Sequence, residues 1–102
     1  MAARLPAEIL RIHISETDRL HGKPLYEAIV ARCRELQIAG ATVFRGLEGF
    51  GEQAELHKHP IVVTVVDTAE NIARLIPELA GMIDTGMMAR STVRMVRVRK
   101  SA

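Results

Sequence analysis

The chain predicts an α+β fold, a four-stranded antiparallel sheet with two helices on one face. Three observations predict it. The hydrophobic pattern alternates between the two-residue period of a strand and the 3.6-residue period of a helix, in the order strand, helix, strand, strand, helix, strand. Breaking or capping residues, Gly22, Gly40, Pro60 and Gly86, stand near the changes of period. With 102 residues, 48% hydrophobic and 25% charged, the chain suffices for one domain over residues 1–102 with one modest core.

The first strand spans Glu8 to Ile14, with Leu10, Ile12 and Ile14 on one face and Arg11 and His13 on the other. Ser15 to Lys23 is polar and reads as a loop. Pro24 suits the first turn of a helix, where its missing N–H costs nothing. Leu25, Ile29, Cys33 and Leu36 then recur at spacings of three and four, an amphipathic helix of about four turns. Gly40 is placed to stop it. Ala41 to Gly51 reads as a long strand that begins in the core and ends as a bent arm. Thr42, Phe44 and Gly46 share one face, Val43, Arg45 and Leu47 the other, and Gly46, Gly49 and Gly51 supply the bend.

Glu52 to His59 is polar and has no period. Pro60 opens the next strand, Ile61 to Val66, whose two faces are both apolar, as in a strand covered on both sides. Two helices can cover only one face of a small sheet. The other face therefore calls for a second copy of the chain. Asp67 or Thr68 can cap the second helix, with Glu70 placed to close a capping box. Its apolar stripe runs through Ile72, Leu75, Ile76, Leu79, Met82 and Ile83, and Pro77 predicts either a bend or a division into two short helices. Ser91 to Lys100 is the last strand. Together these elements make the split βαβ, ferredoxin-like βαββαβ sandwich.

Composition narrows function. Aromatic residues are only 3% and the formal net charge is +2, which argues against nucleic acid as a partner. The basic residues gather at the C-terminus, in Arg90, Arg94, Arg97, Arg99 and Lys100. The single cysteine allows no internal disulfide and fits a reducing, cytoplasmic home. Met1 to Pro6 lacks the apolar run of a signal peptide, and the longest apolar stretch is too short to span a bilayer.

Three segments carry a more specific signal. Leu10 to Arg19 is followed by Gly22-Lys-Pro-Leu-Tyr-Glu-Ala-Ile-Val and by Ala39-Gly-Ala-Thr-Val-Phe-Arg-Gly-Leu-Glu-Gly-Phe-Gly, and Pro60-Ile-Val-Val-Thr-Val-Val-Asp fits with them. In these the chain resembles the PII-like proteins of domain of unknown function 190, within the nitrogen-regulatory PII superfamily. The resemblance covers nearly the whole chain. It implies a signal-transduction trimer of ferredoxin-like subunits, with adenine nucleotides bound in clefts between subunits and a loop between the second and third strands that touches partner proteins. It implies ligand-binding roles for Gly49, Phe50 and Gly51 at the loop base, for Gly86 in a phosphate-facing turn, and for Arg97 and Arg99 as a pair of guanidiniums facing phosphate.

The residue chemistry agrees. Arg97 and Arg99, two apart on a strand, share a side and can grip a polyphosphate in bidentate fashion. The competing reading is a charged edge that prevents aggregation. The chain departs from the family pattern in two places. Its loop over Glu52 to His59 is short, and Asp84 to Met87 lacks a basic residue. The expected function is therefore a trimeric regulator sensing a small anionic effector such as an adenine nucleotide. The alternative is a ligand-free trimeric scaffold that regulates a membrane channel or transporter, or a weak metal-binding protein. The effector and any cofactor stay unassigned.

No catalytic residue emerges. There is no Ser-His-Asp order with turn chemistry and no glycine-lysine phosphate loop, so no enzyme is expected. His57 and His59, helped by Glu55, form a weak metal candidate without a third fixed ligand, and no metal site is assigned. His13 reads as a packed polar residue and His21 as an exposed one. Cys33 on the apolar stripe reads as a small core residue, and Met82, Met87, Met88 and Met95 as gap-fillers at the core or at an oligomer interface.

Overall fold

The computed structural model describes residues 3–50, 56–57 and 60–100. Its elements in order are β1 (Ala3–Ser15), β2 (Arg19–Leu20), β3 (Lys23–Pro24), α1 (Leu25–Glu35), β4 (Gly40–Arg45), β5 (Gly49–Phe50), β6 (Leu56–His57), β7 (Pro60–Asp67), α2 (Ala69–Ala80) and β8 (Met87–Arg97). The main sheet has the order β4-β7-β1-β8 and is antiparallel throughout. This is the ferredoxin-like arrangement that the element order predicts.

Alternation decides which side of the sheet is covered. Leu10, Ile12, Val63 and Val65 are fully buried, and in register they face Leu25, Ile29 and Cys33 of α1 and Ile72, Leu75 and Leu79 of α2 within one cluster. Each such side chain contributes about 1.5–3 kcal/mol on leaving water. The even positions of β7, Val62, Thr64 and Val66, are only half-buried. They belong to an open face, shared with Ile9, Arg11 and His13 of β1 and with the exposed Phe44 and Met87 at its two edges. Within one chain β7 is thus covered on one side.

Several boundaries differ from the sequence reading, each for a local reason. β1 starts at Ala3 rather than Glu8, because β8 pairs with it from Ala3↔Arg97 onward, whereas β7 joins only at Glu8. Residues 3–7 and 93–97 therefore form a two-stranded arm beyond the four-stranded part. The Ser15–Lys23 segment contains a small hairpin, β2–β3, turned by His21 and Gly22 with φ of 50° and 82°. Such a turn needs positive φ at both central positions, which Gly22 supplies without strain.

Helix α1 has 11 residues, about three turns. It ends not at Gly40 but at Gln37, whose φ is 58°. There the Ile38 N–H donates to the Cys33 carbonyl at 3.0 Å, closing the helix end, and Gly40 is already strand. In α2 the N-cap is Thr68, whose hydroxyl accepts from the Asn71 N–H at 3.2 Å. Asn71, not Glu70, holds the third helical position, and its side chain reaches back to Asp67. Pro77 neither ends nor divides α2, because it falls in the last turn, where only the Ala73 carbonyl loses its donor.

Candidate functional site

The long strand expected over Ala41 to Gly51 breaks at Gly46, just past the end of β4. Its N–H donates to the Pro60 carbonyl at 2.8 Å, and a Cβ there would stand 2.8 Å from the Pro60 ring. Glycine thus lets the outgoing and returning chains touch, which fixes the base of the loop. Beyond it Gly49 and Phe50 form β5, paired with Leu56 and His57 of β6 in a separate two-stranded ladder. Gly51, His59 and Glu55 lie outside the described residues. Glu48 and Leu47 are exposed.

Two polar groups flank this base that sequence reading did not single out. The Arg45 guanidinium donates to Glu16, tying the end of β4 to the turn after β1. That turn is itself fastened: the Ser15 N–H donates to Asp18 Oδ2 at 2.9 Å, and the Leu25 N–H to the Asp18 carbonyl at 2.8 Å. The second bond satisfies the start of α1, which has no side-chain cap. An arginine closing a strand and an acid just after another strand offered no spacing signal, since the two are 29 residues apart.

Gly86 sits at the same end of the sheet, just before β8. A Cβ there would meet the His13 carbonyl at 2.9 Å and Ile83 Cγ2 at 3.0 Å. The turn therefore packs directly on the backbone of β1, with no room for a side chain.

Arg97 and Arg99 are elsewhere. β8 has 11 residues, so Met87 and Arg97 stand about 33 Å apart at ordinary strand rise. Arg97 ends the two-stranded arm, and Arg99 follows it, exposed. In one chain the structure thus brings Gly86 and the base of the Gly49–Phe50 arm to one end of the sheet and sets the two arginines at the other. The arginines also lie on the β8 edge, whereas the loop leaves from the β4–β7 side.

Other charges are committed to the fold. Arg90 Nε donates to Glu8 Oε1 at 2.8 Å across β1 and β8. Arg32 bridges Glu35 and Glu78 at 2.8 Å each, tying α1 to α2. Asp67, 5% exposed, accepts from the Ala39 N–H at 2.8 Å, the Thr68 N–H at 2.6 Å and Asn71 Nδ2 at 2.9 Å. Burial would raise its pKa, but these hydrogen bonds outweigh it and hold the carboxyl below its ordinary value. Cys33 is buried in the core, and desolvation pushes its thiol up to about 11. Among the described residues no three His, Cys, Asp or Glu side chains gather as a metal site would need. No described helix is long and apolar enough to cross a membrane.

A four-stranded antiparallel sheet with this order and two helices on one face defines a ferredoxin-like fold, the fold of PII-like proteins. A nitrogen-regulatory PII-like protein from Thiomonas intermedia K12, solved bound to ADP, AMP and bicarbonate, superposes with a TM-score of 0.74 over 91% of this chain and 98% of that one, at 14% identity. The chain belongs to the family known as domain of unknown function 190, described as an uncharacterised ACR, which it matches over residues 7–95. A UPF0166 protein of Aquifex aeolicus is 37% identical over 83 residues, 72% of this chain and 79% of that protein. A UPF0166 protein of Methanocaldococcus jannaschii is 33% identical over 87 residues, 78% and 81% of the two chains.

Proposed function

We propose that the chain is the subunit of a trimeric PII-like regulator that senses an adenine nucleotide or a similar small anion in clefts between subunits. The observation that carries the proposal is the separation of the site's halves. The glycine-bearing loop base and Gly86 lie at one end of the sheet, and Arg97 and Arg99 at the far end, on the β8 edge opposite the loop. A ligand touching both must lie between two copies. The half-buried open face, with exposed Phe44 and Met87, offers the surface through which copies would meet. That a protein of the same fold binds ADP and AMP supports the choice of ligand.

In this reading the guanidiniums of Arg97 and Arg99 neutralise phosphate, and Gly49 and Gly51 admit it and let the loop change conformation. The test is calorimetry of the purified protein with ATP, ADP and AMP, beside light scattering of its mass. Hydrogen bonds to charged groups contribute about 1.5–3 kcal/mol each, so Arg97→Ala with Arg99→Ala should weaken binding about a hundredfold or more. Unchanged affinity in the double variant would refute the assignment. An assembled protein that ignores every nucleotide would instead favour a scaffold that contacts another protein, such as a membrane channel or transporter, without a ligand.

A further inference from the structure

The open face of the sheet carries a central row of hydrogen-bond donors between apolar rows, and we propose that it captures a small oxyanion on Arg11 when subunits close over it. This rests on the reading above that the open face is where copies meet. It concerns a site distinct from the one built on Arg97 and Arg99.

Register places the row. Thr42 of β4 faces Thr64 of β7, which faces Arg11 of β1. On the other side Arg11 faces Ala89 of β8, and its Nη1 lies 3.4 Å from the Ser91 hydroxyl, a long contact and its one described hydrogen bond. On one flank run Val66 and Ile9. On the other run Phe44, Val62, His13 and Met87, which reach from one edge of the sheet to the other. The centre of this largely apolar surface is therefore a cation flanked by the Thr64 and Ser91 hydroxyls, with His13 as a further polar side chain in the neighbouring row.

Among the described strand residues no acid shares the face of that cation. The acidic residues of the four strands are Glu8 and Asp67, and alternation puts both on the helix side. Arg90 holds Glu8, and backbone and Asn71 donors hold Asp67. Closing copies of the chain over this face takes water from Arg11. In a closed trimer whose axis runs over the centre of this face, it also brings equivalent guanidiniums toward one another. A desolvated charge without an acceptor is heavily disfavoured. A sulfate, phosphate, bicarbonate or carboxylate resolves both problems. Its paired oxygens match the guanidinium fork, and the Thr64 and Ser91 hydroxyls can donate to its remaining lone pairs. Chloride, a sphere, does not match the fork.

The experiment measures assembly of the full chain by sedimentation equilibrium, in chloride and in sulfate or bicarbonate at matched ionic strength. The wild-type subunit dissociation constant should fall about tenfold or more from chloride to sulfate, since a ligand bound only by the assembled form favours it by mass action. Arg11→Leu should assemble alike in both salts, apart from the general salting-out effect of sulfate, which acts on both proteins. Arg11→Lys should respond only in part. Circular dichroism checks that each variant folds, and Arg11→Gln replaces the leucine variant if that one aggregates. A wild-type constant that falls no further from chloride to sulfate than that of Arg11→Leu would overturn the proposal. A full sulfate response surviving in Arg11→Leu would place the anion elsewhere and also overturn it. A wild-type monomer in every salt would remove the interface itself, a failure distinct from either.

Discussion

Asp67 is the buried carboxylate on which the ends of three elements meet, and its replacement by alanine tests the packing argument directly. Its two oxygens take the Ala39 N–H at the start of β4, the Thr68 N–H at the start of α2 and the Asn71 amide one turn on. In Asp67→Ala the Thr68 and Asn71 donors lie near the exposed start of a helix and return to water. The Ala39 donor, in a partly buried contact, recovers less. One charged hydrogen bond lost in full, at about 1.5–3 kcal/mol, with a smaller loss at the helix start, gives a destabilisation of about 2–4 kcal/mol. For a domain of this size each kcal/mol moves Tm by about 4–8 °C, so the fall should be at least about 8 °C.

Thermal unfolding followed by circular dichroism, at one fixed subunit concentration, reads this. Asp67→Asn should fall between the two proteins, because its amide nitrogen must face one of the same donors. The pH dependence has a definite sign. A carboxyl held below its ordinary pKa contributes stability that is present above the unfolded value, near 3.9, and lost as pH falls through the folded one. The gap between wild type and Asp67→Ala should therefore be widest above about pH 5 and close in acid. A gap under about 0.5 kcal/mol at neutral pH, or one that persists unchanged in strong acid, would refute the reasoning.

Three further outcomes follow from single positions. Gly86→Ala forces a methyl to within 2.9 Å of the His13 carbonyl, which belongs to an interior strand and cannot yield, so it should cost about 1–3 kcal/mol in urea unfolding. Gln37→Gly relieves a side chain held at φ 58° and should raise Tm by several degrees, about 1 kcal/mol at most; a fall in Tm would contradict the helix-end geometry. Cys33, buried and with its thiol near 11, should react with a disulfide reagent at mild alkaline pH only as fast as the fold opens, and an immediate stoichiometric reaction would contradict its placement.

The sheet was legible because its signals are local. Alternation in Leu10, Ile12 and Ile14 and in Ile61, Val63 and Val65 reports burial directly, and the 3.6-residue stripe through Ile72, Leu75 and Leu79 does the same for α2. The errors fall where one segment's state is fixed by another. β1 begins early because β8 is there to pair with it. The strand after α1 breaks at Gly46 because Pro60 returns beside it. Gln37 ends α1 in a left-handed conformation because Leu36 and Ile38 must turn back onto the core. Propensity alone placed the stop at the nearest glycine.

The candidate site was legible only as a set of residue types, and the geometry explains why. Strand alternation would put Arg97 and Arg99 on one side, but β8 ends at Arg97 and Arg99 lies beyond it. Their distance from Gly86 and from the loop base follows from β8 being an 11-residue edge strand that outruns the sheet. A site within one subunit would have required the opposite: a short β8 whose end lay near the loop. The long arm removes the arginines from their own glycines, so in the proposed site a polyanion held by them would find its remaining contacts on another copy. The same logic applies to Arg11. A charge in the middle of an apolar face is tolerable to a lone chain in water and untenable once that face is covered. Both features, arginines on an arm that outruns the sheet and Arg11 at the centre of the open face, fit the proposed association of subunits, and the proposed anion would answer the charge of Arg11.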